Sequence, residues 1–452
     1  MTIVMRKKKS VTRKVINHDI PKEEEKIASR RAVRLAGKIK ETQERLRLKP
    51  FWSGGQVRSF DLVLVWGLNL YLVWPFFGRE AFKTSYSGPI IPFLAKMIGW
   101  SGLPLAYAIE IVNIGFFLLF PVAFYLFMRR VSGKDLVALL ASLVVSLPIS
   151  PFAGARIQGM FYSVEGPHMA SLALVPLAAY GLLSFLHDGG LRNLVLAAGC
   201  SVLVGLISPF GLLTYVIFGA IIAFSEMLLG QGRLKIMRLL MVFLLGAGLS
   251  SFWYNPGFFF WMLSGPLGVE PKMMFARLLP VSLFTLPILG VIGYLLFDRK
   301  PDLQPLFLGS FLTIGFGMIV LVGKGGMMLA PSRYIPELGI ALAFLLSTLG
   351  EKLFEQVLKH KDKWRWGRRG GERWLFGSLL GVIILLVVGI LKGRSWILSY
   401  EPGVLGFWTG VERGEIWLAR ERFGGGYSVM GYGITGVIGM TLWGLKNKRR
   451  QR

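Results

Sequence analysis

The chain consists of long apolar blocks separated by short polar stretches. A bilayer core is about 30 Å thick, so a helix that crosses it needs about 20 apolar residues, and many of the blocks reach that length. A soluble helix would carry polar residues at helical spacing, and barrel strands would be short and alternating. The pattern therefore predicts an all-α fold, a polytopic bundle of transmembrane helices.

About twelve spans are predicted, with eleven to thirteen open as the count. The weakest region is 191–229, where the break ISPFG divides either two spans or one span and a re-entrant segment. The predicted spans are 59–77, 104–128, 135–151, 169–187, 191–208, 209–229, 236–261, 278–297, 304–323, 334–350, 374–392 and 427–445.

The spans divide the chain into four predicted parts. Residues 1–58 form a basic N-terminal region, and 59–350 form the transmembrane core. Residues 351–373 form a basic loop on the same side of the membrane as the N-terminus. Residues 374–452 contain the last spans, with a short external segment at 393–426.

The net charge of +27 changes the picture less than its size suggests. With the N-terminus in the cytoplasm, most lysines and arginines fall on the inner side, and the short loops RRVSGK and GRLKIMR agree with this. That is the positive-inside bias of membrane proteins. The charge therefore predicts cytoplasmic termini and contact with anionic membrane lipid, and it predicts no nucleic-acid partner.

Titratable side chains recur in or beside the connections predicted to be external. A carboxylate or an imidazole near a dry site can act as a general base, and the planar fork of arginine suits a phosphate. Together they predict an external vestibule with a base and a phosphate clamp. The candidate residues are Glu80, Glu110, Arg156, Glu165, His168, Lys324 and Arg333, with Glu337 in the same stretch as Arg333.

Each candidate also has a structural interpretation. Glu80 is a solvated loop charge in that interpretation, and Glu110 belongs to an ion pair between helices. Glu165 and His168 cap a helix, and Arg333 reaches for lipid headgroups. Both interpretations stay open at this stage.

The standard catalytic and metal motifs are missing from the sequence. No HExxH, no phosphate loop ending in GK[ST] and no CxxC pair occurs. Of the four histidines only His168 is predicted to be external, so a zinc site made by protein ligands alone is not expected. No cofactor is predicted, and a divalent cation is left open.

Three segments carry a resemblance to a known class of enzymes. They are VAFYLFMRRVSGKDLVALLASLVVSLPISP, EGPHMASLALVPLAAYGLLSFL and APSRYIPELGIALAFLL. In their order and character they resemble GT-C-type integral membrane glycosyltransferases, over roughly residues 55–350. More narrowly, the chain resembles bacterial multi-span membrane proteins named for a 6-pyruvoyl-tetrahydropterin-synthase-related domain.

The resemblance implies an enzyme of the bacterial cell membrane. It implies sugar transfer from a polyprenyl-phosphate donor to a cell-envelope acceptor on the external face. Glu80 and Glu165 match the catalytic carboxylates, with His168 in support. Arg333 or Arg156 matches the arginine that meets the donor phosphate, and Glu110 and Lys324 complete the predicted substrate-binding set.

The chain departs from the class in two places. The usual first-loop aspartate is absent, so Glu80 would have to replace it. The external segment near the C-terminus is too short for an independent domain.

Two other functions stay open. The chain could be a transporter or flippase of lipid-linked envelope material, or a non-catalytic assembly protein of the membrane. An enzyme requires a carboxylate and an arginine to converge on one substrate atom. A transporter requires a polar path that reaches the inner side.

Overall fold

A computed structural model describes eight stretches of the chain. These are residues 59–79, 88–163, 165–229, 232–264, 303–322, 331–359, 368–398 and 426–450, with 272, 273, 276 and 291 described singly. The chain divides into two units, 1–55 and 56–452, and all described residues belong to the second unit. Every regular element in these stretches is a helix.

The helices are numbered here in chain order. They are α1 Ser59–Val73, α2 Ile90–Gly99, α3 Leu105–Ser132, α4 Asp135–Val145, α5 Ala153–Ile157, α6 Gly166–Leu172, α7 Val175–Asp188, α8 Leu191–Ile207, α9 Pro209–Leu228, α10 Gly232–Ser250, α11 Pro256–Ser264, α12 Gln304–Val322, α13 Ile335–Lys359, α14 Arg368–Leu398 and α15 Gly426–Arg450. Short turns extend three of them: a 3₁₀ turn follows α1, a π turn at Gln158–Tyr162 follows α5, and a 3₁₀ turn at Pro331–Tyr334 precedes α13.

Six helical segments among the described residues are long and apolar enough to cross a membrane. They are Ser59–Phe76, Leu105–Ser132, Gly166–Asp188, Pro209–Leu228, Gln304–Leu321 and Gly377–Ser395. The predicted class, an α-helical membrane protein, is confirmed. The count of twelve spans stays a prediction, and the predicted span 278–297 falls almost wholly outside the described residues.

The region that was open in the sequence contains two helices. α8 ends at Ile207, and α9 begins at Pro209 after an extended Ser208. Proline has no N–H to donate, so it cannot continue a helix, but it fits the first turn of a new one. The first helix therefore ends here, and a separate helix starts at Pro209.

The predicted span 135–151 is wrong at its C-terminal end. α4 ends at Val145, and Pro148 and Pro151 occupy the break that follows. A proline disfavours helical geometry in the residue before it. The next stretch, predicted to be an external connection, contains α5 and the π turn, and Ala153 and Ile157 there are buried. Its side of the membrane stays a prediction.

The first part of the basic segment predicted at 351–373 is helical. α13 continues through Glu351 and Glu355 to Lys359. Lys134, in the turn between α3 and α4, forms ion pairs with both of these carboxylates. The ion pairs attach the polar end of α13 to the turn between α3 and α4.

The α6–α7 segment is the centre of the bundle. Of its most apolar 18-residue stretch, 94% is buried, whereas only 6% of the corresponding stretch in α14 is buried. Gly181 permits this packing, because a Cβ at that position would lie 2.7 Å from the backbone N of Ala197 in α8. Of the six apolar segments, the one formed by α6 and α7 is therefore the most buried, and the candidate residues Glu165 and His168 lie at the start of α6.

The bundle has two polar ends. At one end, called here the basic end, Arg130 pairs with Asp188 at 2.5 Å. Lys235 donates to Glu226 Oε2 at 2.8 Å there, and Gln304 donates to Glu226 Oε1 at 2.7 Å. The opposite end, called here the site end, contains the first residues of α6, α9 and α13.

Candidate functional site

Three helices begin next to one another at the site end. α6 begins at Gly166, α9 at Pro209 and α13 at Ile335. α6 and α9 pack so closely that a Cβ on Gly211 would lie 1.9 Å from Ser171 Oγ. A helix N-terminus carries a partial positive charge and free N–H groups, so this end of the bundle favours negatively charged groups.

A buried ion pair joins the first and third of these helices. Arg333 donates from Nε to Glu165 Oε1 at 3.1 Å and from a terminal nitrogen to the same oxygen at 2.9 Å. The Arg333 guanidinium also lies 3.7 Å above the ring of Phe210, at the start of α9. The two side chains are 1% and 5% exposed, so the pair is shielded from solvent.

A second carboxylate lies one helical turn beyond Arg333. Thr214 of α9 donates to Glu337 Oε1 at 2.8 Å. His168 Nε2 approaches the same oxygen to 2.9 Å, although the ring nitrogen is not aligned for a hydrogen bond. Glu337 therefore contacts both of the other helices, and its side chain is fully buried.

The imidazole of His168 lies among aromatic rings. Its ring centre is 6.1 Å from that of Phe210 and 5.9 Å from that of Tyr334, and both contacts are edge-to-face. The ring is 1% exposed. Packing of this kind holds an imidazole in one orientation. A side chain that transfers protons needs such a fixed orientation.

Three polar atoms of the site have no aligned hydrogen-bond partner in the described part of the chain. They are Nδ1 and Nε2 of His168 and Oε2 of Glu337. The arrangement can therefore bind a group that both donates and accepts hydrogen bonds.

Glu110 lies buried in α3, about one and a half turns after its first residue. Asn113 approaches its Oε2 to 3.5 Å, and Arg79 acts on it electrostatically. These partners belong to α3 and to the chain after α1. These contacts of Glu110 do not include the Glu165–Arg333 pair, and its predicted role in substrate binding stays a prediction.

Arg156 has a different environment from Arg333. One of its terminal nitrogens donates to the carbonyl of Val145 at 2.9 Å, and its guanidinium lies 4.0 Å from the ring centre of Phe120 and 4.9 Å from that of Phe117. Val145 is the last residue of α4, where the helix dipole favours a cation. These contacts give Arg156 a structural function at the end of α4, and its predicted substrate contact stays a prediction.

Glu80 and Lys324 lie outside the described residues, so the structure does not place them. Among the described residues, no group of three or more histidine, cysteine, aspartate or glutamate side chains could hold a metal ion.

Three residues of the site had no assigned role in the sequence analysis: Phe210, Thr214 and Glu337. Glu337 carried a signal, because it follows Arg333 by four residues and so lies on the same helical face. Thr214 is one small polar residue in an apolar helix, and Phe210 is one aromatic residue among many. Their contribution depends on the packing of α9 against α6 and α13.

The fold and the site together define the class of protein, an α-helical membrane protein with a buried ionic site where three helices begin. No family model matches the chain. One third of it is similar to NADH-ubiquinone oxidoreductase chain 6 of Loxodonta africana, with 24% identity over 160 residues that cover 33% of this chain and 83% of that protein. A similarity of this extent does not assign the chain to a family.

Proposed function

We propose that the chain is an integral membrane glycosyltransferase of the GT-C type. In this proposal it transfers a sugar from a polyprenyl-phosphate donor to a cell-envelope acceptor, and the site end faces the outside of a bacterial cell membrane. The observation that carries the proposal is the Glu165–Arg333 pair. Residues 168 positions apart in sequence meet in a buried site, which supplies a carboxylate and a guanidinium together.

The reaction needs a carboxylate near the acceptor and a guanidinium near the donor phosphate. The acceptor hydroxyl gives its proton to a carboxylate, and its oxygen bonds to the anomeric carbon of the sugar. The bond between that carbon and the phosphate oxygen breaks, and polyprenyl phosphate leaves with the electron pair. A fixed guanidinium stabilises the charge that develops on the leaving phosphate, which is the role we assign to Arg333.

The distribution of polar groups favours an enzyme over a transporter. Glu226 at the basic end lies about 18 Å along α9 from Thr214 at the site end. Phe218 and Ile222 between them are buried apolar residues. Within the described residues, α9 thus carries two separate polar clusters at its ends, each with its own partners, instead of a continuous polar path.

The test is transfer of a radiolabelled sugar by the full chain, purified and reconstituted in lipid nanodiscs. Polyprenyl-phosphate donors are supplied with envelope extracts as acceptors, with and without an added divalent cation. We expect wild-type turnover, a loss of at least about 100-fold in Arg333→Lys, and little change in Glu355→Gln at the basic end. Arg333→Lys keeps the charge but loses the planar fork, so it tests the phosphate contact itself.

The outcomes are distinct. An inert wild type with every donor, in protein that stays folded, would contradict the proposal. Equal turnover in wild type and Arg333→Lys would support the enzymatic activity but contradict the role of Arg333 in binding the donor phosphate.

A further inference from the structure

The two carboxylates of the site have unequal partners. Glu165 Oε1 accepts two hydrogen bonds from the Arg333 guanidinium, so its charge is compensated by a cation at 2.9 Å. Glu337 accepts one hydrogen bond from the neutral hydroxyl of Thr214. Charge-assisted hydrogen bonds are about twice as strong as neutral ones. Glu337 therefore has the less compensated charge of the two.

Glu337 and His168 also have unused hydrogen-bonding capacity. Within the described residues, Glu337 Oε2 and both ring nitrogens of His168 are buried without an aligned hydrogen-bond partner. An unsatisfied buried polar group costs about 1–3 kcal/mol. Since both side chains are at most 1% exposed, bulk solvent does not satisfy these atoms.

The chemistry of these atoms selects their partner. A carboxylate oxygen only accepts hydrogen bonds, while a neutral imidazole donates one and accepts one. A phosphate dianion has no proton to give to Glu337, and an ammonium group has no lone pair for an imidazole N–H. A hydroxyl group both donates and accepts, so it fits a carboxylate next to an imidazole.

We propose that Glu337 and His168 bind the attacking hydroxyl of the acceptor, and that Glu337 takes its proton. Glu165 is then a positioning residue, which holds Arg333 over the face of Phe210 for the leaving phosphate. This inference rests on the proposed sugar transfer. It differs from the sequence-based prediction, in which Glu80 or Glu165 was the catalytic base and Glu337 was a carboxylate of the vestibule without a specific role.

The hydroxyl proton moves to Glu337 Oε2, the acceptor oxygen forms the new glycosidic bond, and the phosphate leaves with the electrons of the old bond. Glu337 becomes neutral and must return its proton before the next turnover. The unsatisfied ring nitrogens of His168 are suited to relay that proton.

The experiment uses the donor and acceptor that the wild type turns over. We compare Glu337→Gln, Glu165→Gln and, as a matched control, Thr214→Val, which removes one hydrogen bond from Glu337 without changing a charge. For Glu337→Gln we expect a loss of at least about 1,000-fold in kcat with the KM for the donor unchanged. In the wild type we expect kcat to decrease toward acid pH, because a base must be unprotonated to accept the proton. In Glu337→Gln the residual kcat should not show this decrease.

The positioning residue should give a different result. We expect Glu165→Gln to raise the KM for the donor while the fall in kcat toward acid pH is retained. We expect Thr214→Val to lose less than about ten-fold in kcat. A purely structural function of Glu337 would instead lower the stability of Glu337→Gln and leave its pH profile like that of wild type.

A second measurement does not depend on the folding of any carboxylate variant. Nitrogen-15 histidine is incorporated into the wild type, and the His168 resonances are assigned by comparison with His168→Gln. We expect the acceptor to shift the ring-nitrogen signals of His168, because the hydroxyl becomes their hydrogen-bond partner.

Three results would overturn the inference. An inert wild type contradicts the proposed function together with this assignment. An active wild type whose Glu337→Gln variant keeps kcat within ten-fold, or keeps the acid fall, contradicts the assignment alone. Unchanged His168 signals at saturating acceptor would show that the hydroxyl binds elsewhere.

Discussion

The buried ion pair between Glu165 and Arg333 permits a quantitative prediction. At 2.9 Å the attraction of two unit charges is about 6 kcal/mol for an effective dielectric constant of about 20. Much of it offsets the cost of removing both charges from water, but a charge that is left alone keeps that cost without the attraction. Removal of one partner should therefore cost about 3–5 kcal/mol.

The cleaner single variant is Glu165→Gln. The amide has nearly the shape of the carboxylate, and arginine cannot escape the penalty by losing its proton. We expect Glu165→Gln to lower the free energy of unfolding by about 3–5 kcal/mol. The double variant Glu165→Gln/Arg333→Met has no buried charge at the pair, so it should be more stable than Glu165→Gln alone.

The assay is unfolding of the purified protein in mild detergent by increasing dodecyl sulfate, followed by circular dichroism. The wild type, both single variants and the double variant form a thermodynamic cycle. A loss below about 1 kcal/mol in Glu165→Gln would refute the reasoning. Additive losses in the double variant would refute it as well, since the two side chains would then act independently.

An exposed ion pair in the same chain is the matched control. The side chain of Lys134 is 44% exposed where it contacts Glu351 and Glu355. Solvent screens such pairs, so Lys134→Met should cost no more than about 1 kcal/mol. The difference between the two sites would then measure the effect of burial.

The control also has a defined dependence on pH. Burial lowers the pKa of Lys134, but the hydrogen bonds to Glu351 and Glu355 outweigh it, so the pKa lies above its ordinary value of 10.5. The hydrogen bond from Lys134 holds the pKa of Glu355 below its ordinary value of 4.5. The ion pair therefore contributes its full stability between about pH 4.5 and 10.5. This contribution is lost as the pH falls through the folded-state pKa of Glu355. It is also lost as the pH rises through the folded-state pKa of Lys134. The loss caused by Lys134→Met should be constant inside this window and shrink outside it.

Two further substitutions test the packing. Gly211→Ala should lower the free energy of unfolding by about 1–3 kcal/mol, because the new Cβ would meet Ser171 Oγ at 1.9 Å. Gly199→Ala is the control, because a Cβ there would have nothing within 4 Å. Equal stability of the two variants would contradict the close approach of α6 and α9. Tyr125→Phe should cost about 1–3 kcal/mol in the same unfolding assay, since its hydroxyl donates to the buried Asp61 at 3.1 Å. Wild-type stability of Tyr125→Phe would mean that Asp61 has another partner.

The site was predictable in part. Glu165, His168 and Arg333 were identified because titratable residues are expensive beside membrane spans. Glu337 was named with them but without a role, and Thr214 was not identified, because both reach the site only through the packing of α9 and α13 against α6. Arg156 had the same sequence signal as Arg333, and only its contacts with Val145, Phe117 and Phe120 distinguish the two.

The sequence by itself determined the class of protein and most of its helices. Apolar block length decides this, since a segment of about 20 apolar residues in a bilayer must satisfy its backbone groups internally. Prolines placed breaks as well, and the break at Pro209 was visible in the sequence. The end of α4 before Pro148 was missed, because the apolar pattern continues past the point at which the backbone leaves the helix.

The tertiary structure alone decided which charges meet. Glu165 and Arg333 are 168 residues apart, and no local periodicity relates them. Their meeting depends on which helix faces touch, and those faces are apolar along most of their length, so hydropathy does not distinguish one neighbour from another. The pairing follows instead from the shapes of the packed helices and from the high cost of a buried charge without a partner.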